Sequence, residues 1–375
     1  MKVLFLTEFY PATLDADVRG GVELRTFHTS QGISNTHDVT VVAVPETRIP
    51  TDQRVGRVRV LRPGPVASFR QSGAFIARLR YIIACQRLVV QEHPDILIAE
   101  NFLAYLVPLF LGRAWRQKTV LTYHDVLIGT WFKHFGPMMG LIGEVVERIV
   151  LRTKWRKIIC NSLVTKKKVL QRYKHESDVT VVYSGVNIEH ISTISPEQFQ
   201  YPTIVAVARL VRYKRLDDLF RAVAKLRNQI HDLRLMVIGS GPERSRLEKL
   251  AESLGITSLL EWRGFVRRHE DVIAAIKGAT IFSLPSAVEG FGLVTLEAMA
   301  CGTPYVNSDI PPTNELSHGG QGGRLYPLGD WLSLSKNLFE LFTDQDLRHQ
   351  MSIDGQRVAR EYSWQKTTQE FISSL

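Results

Sequence analysis

Short apolar runs alternate with longer stretches of helical period from the first residues onward. Lys2–Leu6, Asp38–Val44, Ile96–Ala99, Lys118–Tyr123, Lys157–Cys160 and Val179–Tyr183 each read as a short strand. Helical patterns fall between most of them, over Val22–Gly32, Ala74–Gln91, Phe102–Arg113, Gly140–Arg152 and Val164–Tyr173. Alternation of this kind means βαβ units, hence a parallel sheet with helices on both faces. The polar, weakly patterned stretch Ser192–Gln198 interrupts it and reads as a linker. The alternation then restarts with strands Ile204–Ala208, Leu233–Ile238, Leu259–Gly264, Ile281–Leu284 and Tyr305–Asn307. Their helices are Leu216–Gln229, Glu243–Leu254, Glu270–Lys277 and Leu293–Ala300, and Trp331–Leu375 reads as helical throughout. The expected fold class is α/β, with two doubly wound domains over residues 1–190 and 200–360 and a hinge between them.

A chain of 375 residues also exceeds what one hydrophobic core usually supports. Charge separates the halves: residues 1–195 hold 26 Lys and Arg against 16 Asp and Glu, and the remainder holds 21 of each. The basic half suits an anionic partner, whether a membrane surface, an acidic acceptor or nucleic acid, and a solvated surface without a partner is an equal alternative. Three widely spaced cysteines show neither a disulfide framework nor a zinc pattern, which fits a reducing cytoplasm. The first apolar run, Val3–Leu6, is too short for a signal peptide and Glu8 closes it. No uncharged run reaches membrane-spanning length, so membrane contact is expected only at the periphery. Its candidate is Ala74–Gln91, where Phe75, Leu79, Ile82 and Ile83 make an apolar stripe beside Arg78, Arg80 and Arg87. The favoured reading of that stripe is packing on its own sheet.

Candidate chemistry concentrates between Thr280 and Asp309. Strand Ile281–Leu284 ends at Pro285, the loop Glu289-Gly290-Phe291-Gly292 follows, and the helix from Leu293 carries Glu297. A loop carboxylate, a row of backbone amides and a second carboxylate therefore meet at a strand's C-terminal end, where open α/β sheets bind ligands. Glu289 also reads as a plain loop acid and Glu297 as an acid favoured by the helix dipole. The apolar company of Glu297 argues for a partner, and a ribose diol offers two hydroxyl donors. Arg209 ends a strand and Lys214 follows with Arg212 and Arg215, cations suited to a diphosphate; alone they read as a solvated basic loop, and sharing a half-chain with the Glu289–Glu297 stretch shifts the reading towards function. Gly20-Gly21 and Gly239-Ser240-Gly241 each stand between a strand and a helix, where amides can cradle an anion. The second lacks the third glycine and the distal acid of a dinucleotide site, so a nicotinamide or flavin cofactor is not expected. His124-Asp125 follows the strand ending at Tyr123; alone that histidine reads as structural, and facing a carboxylate across a cleft it is a candidate for a sugar contact. Asp15-Ala16-Asp17 has the acid-any-acid form of metal-dependent glycosyl transfer but reads as a solvated loop, and no other cluster has metal-ligand spacing.

With those residues placed, the chain resembles the retaining glycosyltransferases of family 4, also called group 1, which have the GT-B fold of two Rossmann-like domains. The carrying motif is E-x7-E, Glu289-Gly290-Phe291-Gly292 with Glu297, extended by Ala298-Met299-Ala300-Cys301-Gly302-Thr303-Pro304. Ala208-Arg209-Leu210 with Lys214, Gly239–Glu243, Gly264-Phe265-Val266, Ser184–Asn187 and Gly20-Gly21 follow in the family's order. The resemblance implies a nucleotide-sugar donor, a UDP-sugar first, and a glycan, lipid-linked or small-molecule acceptor, with neither metal nor cofactor. It implies catalytic roles for His124, Glu289, Arg209 and Lys214, with the last two on the donor diphosphate. It implies donor contacts from Gly21, Val266, Phe291, Gly292, Leu293 and Glu297. The motif Glu361-Tyr362-Ser363-Trp364 implies that residues 361–375 cross back to the first domain. Departures stand at Arg215 and Pro311-Pro312, where the family has glycines, and at Tyr183-Ser184 and Asn187 in place of Pro-Asn and aspartate. The alternatives are a nucleotide-sugar 2-epimerase of the same fold and a non-enzymatic nucleic-acid binder. Against the binder, the sequence has no recognition-helix or RNA-binding sheet signature, so no nucleic acid is expected.

Overall fold

The computed structural model describes residues 1–14, 20–47, 49–64, 75–132 and 136–375, the side chains of residues 75–77 excepted. Asp15 and Asp17 lie outside them. The chain divides into two units, Met1–Ser184 with Trp364–Leu375, and Gly185–Ser363. None of the described helices is long and apolar enough to cross a membrane.

Unit 1 is built on β1 (Lys2–Leu6), β2 (Asp38–Val42), β3 (Asp52–Val55), β4 (Val58–Leu61), β5 (Ile96–Ala99), β6 (Thr119–Tyr123), β7 (Lys157–Cys160) and β8 (Val179–Val181). Their order in the sheet is β3-β4-β2-β1-β5-β6-β7-β8. Every pairing is parallel except the β3–β4 hairpin, which turns at Gly56 with φ 58°. That hairpin escaped the sequence reading because arginines interleave its short strands. The helices here are α1 (Gly21–Ile33), α2 (Phe75–Glu92), α3 (Phe102–Leu111), α4 (Arg113–Arg116), α5 (Pro137–Arg152) and α6 (Leu163–Leu170). Asn101 caps α3 by accepting from the Ala104 amide at 3.0 Å, and Gly112 ends it, so the single helix expected to Arg113 becomes two. The α2 stripe divides: Ile82 is buried with Tyr81, Cys85 and Val89, while Leu79 and Ile83 face solvent.

Unit 2 holds β9 (Thr203–Val207), β10 (Arg234–Ile238), β11 (Leu260–Gly264), β12 (Ile281–Leu284), β13 (Tyr305–Asp309) and β14 (Gly323–Pro327), all parallel, in the order β11-β10-β9-β12-β13-β14. Around it run α7 (Ile188–Thr193), α8 (Leu216–Leu226), α9 (Arg244–Ser253), α10 (His269–Gly278), α11 (Leu293–Cys301), α12 (Pro311–Leu316), α13 (Trp331–Thr343) and α14 (Gln345–Ala359). Both sheets are therefore doubly wound, as the alternation predicts, and the strand order reverses next to β1 in unit 1 and next to β9 in unit 2.

Several departures from the sequence pattern are local chemistry. Asn187 caps α7 by accepting from the His190 amide at 3.0 Å, which is work an aspartate would also do. Pro311 and Pro312 occupy the first turn of α12, where the missing N–H groups cost nothing. The stretch expected as a linker is bound to unit 2: Lys277 Nζ donates to the carbonyls of Ile191, Ser192 and Ile194, and Arg263 pairs with Glu197. The C-terminal segment is broken after α13 and again before α15 (Trp364–Ser373). That last helix lies on α1 within unit 1, where Trp364 stacks on His28 with centroids 4.5 Å apart. Its Thr367 hydroxyl donates to the Tyr183 carbonyl at 2.9 Å.

Arg215 answers the question raised by its missing glycine. It adopts φ 49° and ψ 35°, the left-handed conformation a glycine takes freely, so the loop path is kept with a strained residue. Its Nε donates to the buried Asp218 carboxylate at 2.6 Å. Arg215→Gly should therefore be more stable than Arg215→Ala by about 1 kcal/mol, since both lose the ion pair and only alanine keeps the strain. Equal urea midpoints for the two variants would remove strain from the account.

Candidate active site

In unit 2 the sheet opens where β9 and β12 part. They pair only at Ile204 with Ile281 and Val205 with Phe282. Beyond that point the Leu284 amide turns to Asn307 Oδ1 on β13 at 2.7 Å, and the loop after β12 meets the loop after β9 through Ala287 N donating to Tyr213 O at 2.8 Å. This backbone link sets Lys214 Nζ 2.5 Å from Glu289 Oε1, although 75 residues separate them. Both side chains are largely buried. Arg209 stands exposed at the end of β9, without an ion-pair partner among the described residues.

The amides of the α11 N-terminus open beside Glu289. Gly292 caps that helix without a side-chain hydrogen bond, so the first-turn N–H groups of Leu293 and its neighbours lack intrahelical acceptors. Phe291 packs its ring inward against Tyr362, centroids 5.7 Å apart, so its side chain is core. Glu297 is buried and pairs with His269 Nε2 at 3.1 Å. Burial alone would push the His269 pKa down, but the Glu297 carboxylate outweighs it and holds the imidazole above its ordinary value. His269 is the first residue of α10 and was not singled out from the sequence; its place directly after the Val266 loop was the available signal. Val266 itself is half-buried in that loop.

The glycines of the Gly239–Gly241 turn have a steric role besides the anion cradle considered for that turn. A Cβ on Gly239, where φ is 130°, would stand 1.9 Å from the Ala208 carbonyl oxygen, and one on Gly241 2.4 Å from that of Leu210. The Gly239 amide is already committed to the Gly264 carbonyl and the Leu210 amide to Ser240. These glycines let the loop after β10 lie directly on the loop that carries Arg209.

In unit 1, Gly21 opens α1 after an extended Gly20, and His124 follows β6. His124 Nε2 lies 3.4 Å from Oε2 of Glu100, a fully buried acid directly after β5 that the sequence reading passed over. Neither Glu100 oxygen has a hydrogen-bond donor among the described residues. Arg25 on α1 is also buried, donating to Ser184 Oγ at 3.0 Å and the Val182 carbonyl at 2.8 Å. Burial pushes its pKa down while the nearby Glu100 charge opposes the shift. An acid immediately after the all-apolar strand Ile96–Ala99 was the signal for Glu100. The loop after His124 is held from α5: Glu147 accepts from Trp131 Nε1 at 2.6 Å and from the Leu127 amide at 3.2 Å, and Glu144 from the Gly129 amide at 2.8 Å. Asp125 pairs with Lys168 at 2.6 Å. Among the described residues no group of three or more His, Cys, Asp and Glu side chains converges as a metal site.

Comparison with known proteins agrees with this arrangement. Residues 19–190 match the family described as Glycosyltransferase Family 4 and residues 187–358 the one described as Glycosyl transferases group 1. An uncharacterized glycosyltransferase of Methanocaldococcus jannaschii is 25% identical across 100% of this chain and 97% of its own length. A D-inositol 3-phosphate glycosyltransferase of Salinispora tropica is 28% identical across 84% of this chain and 71% of its own. Among solved structures, sucrose-phosphate synthase of Thermosynechococcus elongatus superposes with a TM-score of 0.85 at 18% identity, covering 99% of this chain and 97% of that one. HepE of Anabaena, solved with UDP-glucose, superposes with a TM-score of 0.77 at 19% identity over 100% of both chains.

Glu147 makes the His124 loop pH-sensitive. Burial pushes its carboxyl up to about 7 from an ordinary 4.5, against the hydrogen bonds that favour the charged form. A raised folded pKa means the stability from this group is fully present below the unfolded value and is lost as pH rises through about 7. Denaturation midpoints should therefore fall between pH 5 and pH 8 more steeply in the wild type than in Glu147→Gln. Superimposable profiles would show that Glu147 does not titrate in this window.

Proposed function

The chain belongs to family 4 of the glycosyltransferases, with the GT-B fold, and we propose that it moves a sugar from a nucleotide diphosphate to an acceptor hydroxyl with retention and without a metal. The observation that carries this reading is the Lys214–Glu289 contact at the opening of β9 and β12, with Arg209 and the α11 amides beside it. Two cations and a helix N-terminus suit a diphosphate, and a carboxylate next to them suits sugar hydroxyls. A uridine donor is favoured because HepE was solved with UDP-glucose. The acceptor is a glycan, lipid-linked or small-molecule hydroxyl, in glycan or glycolipid assembly, at the cytoplasmic side.

On this reading Arg209 and Lys214 hold the diphosphate and neutralise the charge that grows as the sugar leaves. Glu289 and Lys214, each other's partners without donor, exchange that contact for one to the sugar and one to phosphate. The amides of Phe291, Gly292 and Leu293 serve sugar and phosphate, and Val266 meets the base through its backbone. Glu297 takes the ribose diol, oriented by His269. In unit 1, His124 is assigned to the donor sugar and Gly21 to phosphate or acceptor. The anomeric carbon passes through an oxocarbenium-like state, and the departing diphosphate takes the acceptor proton. Water excluded during this step would otherwise hydrolyse the donor.

A thermal-shift screen against UDP-, GDP-, ADP- and TDP-sugars should give its largest rise with a UDP-sugar, and no rise with any of them would overturn the donor class. Glu297→Ala should weaken that donor by about tenfold or more, as expected for losing hydrogen bonds to a charged group. Lys214→Ala should lower kcat/KM by about 10²–10³-fold, the usual effect of removing one charge-stabilising donor. The product's anomeric configuration, read by NMR, and activity retained in EDTA test retention and metal independence.

A further inference from the structure

The helix α5 buries both of its acids and leaves part of its apolar surface uncovered. Its acids Glu144 and Glu147 point inward to the loop after His124, and Gly140 and Gly143 let it sit close: a Cβ on Gly143 would stand 2.3 Å from the Trp131 ring. Val150 and Leu151 near its C-terminal end are core and Val146 packs on that core, but five other apolar side chains point outward. Met138, Leu141, Ile142, Val145 and Ile149 recur at the spacing of one helical face and are between 37% and 73% exposed. Phe132, beside Gly140, is exposed as well. Scattered exposed leucines need no explanation, but a continuous stripe along one helix marks an interaction surface.

Charge indicates what covers it. From residue 148 to residue 174, starting within the last turns of α5, the chain carries ten Lys and Arg and no Asp or Glu. Arg152 and Lys154 stand exposed at the C-terminal end of the stripe and Lys167 on α6. Arg172 is close enough to Glu144 to draw its carboxyl downward together with Arg148. An apolar helical face bordered by cations suits an interface that is both greasy and negative. A second copy of α5 would offer these cations no carboxylate, since both acids of that helix face inward.

We propose that α5 is a docking surface for an anionic lipid bilayer, with the Met138–Ile149 stripe in the acyl boundary and the exposed cations Arg152, Lys154 and Lys167 on the headgroups. It differs in place from the contact considered for α2, where Leu79 and Ile83 are exposed, Ile82 is buried and the Phe75 side chain lies outside the described residues. Helix α5 lies in the headgroup plane and does not span.

Flotation of the full chain with vesicles of phosphatidylcholine and phosphatidylglycerol at low salt, with no nucleotide sugar present, tests this independently of the transferase reading. Binding is expected with phosphatidylglycerol and not with phosphatidylcholine alone. Leu141→Ser with Val145→Ser should lower partitioning about tenfold or more while melting like the wild type, since both positions are exposed. Arg152→Gln with Lys154→Gln should weaken binding to anionic vesicles and reduce its salt dependence. The proposal is overturned by no flotation with phosphatidylglycerol, by equal flotation with neutral vesicles, or by undiminished binding of the serine variant. It is also overturned by a concentration-dependent dimer that the serine variant abolishes, which would assign the stripe to a second copy.

Discussion

Where β9 and β12 stop pairing after Phe282, two loops leave the sheet in different directions and their backbone groups must find other partners. The partners they find shape the rest of unit 2. Ala287 bonds to Tyr213, Leu284 to Asn307, and Asn307 in turn to Thr295 on α11. Those bonds bring a lysine from one loop and a glutamate from the other into contact, and aim a helix N-terminus at the same place. The glycines of the β10 loop press on the Arg209 loop from the other side. A strained Arg215 is tolerated because this framework over-determines its conformation.

Unit 1 presents the same reversal with a different content. Near the reversal at β1 and β5 it holds two fully buried charged side chains, Glu100 and Arg25, with His124 3.4 Å from the acid. Buried charge is costly unless paired, and Glu100 keeps two oxygens without hydrogen-bond donors among the described residues. Such a carboxylate is suited to hydroxyl donors brought by a ligand. The inward acids of α5 have a related logic: Glu144 and Glu147 supply acceptors for loop amides and an indole, and the apolar residues of the opposite face, Met138 to Ile149, are left outward. One structural device thus fixes the His124 loop and exposes a greasy stripe.

The alternation of apolar strands and periodic helices was enough to establish two doubly wound α/β units, because strands buried on both faces read as continuous apolar runs. It missed β3 and β4, whose arginines hide the alternation, and β14, where Gly323 and Pro327 are poor strand residues. The E-x7-E spacing and the strand-end position of Arg209 were legible for the same reason, since strand ends and helix starts carry local signals. Glu100 and His269 were not, because each matters through a neighbour distant in sequence: His124 for one, Glu297 for the other.

By itself, then, the sequence determined the secondary elements, the class of fold and the stretches where strands end and helices begin, all set by local period and by the chemistry of glycine and proline. Only the tertiary structure decided that Lys214 meets Glu289, that Glu297 is held by His269, and that α5 turns an apolar stripe to solvent. Those outcomes depend on which faces are covered and which loops converge. Burial and long-range contact are properties of the packed chain, and no window of neighbouring residues contains them.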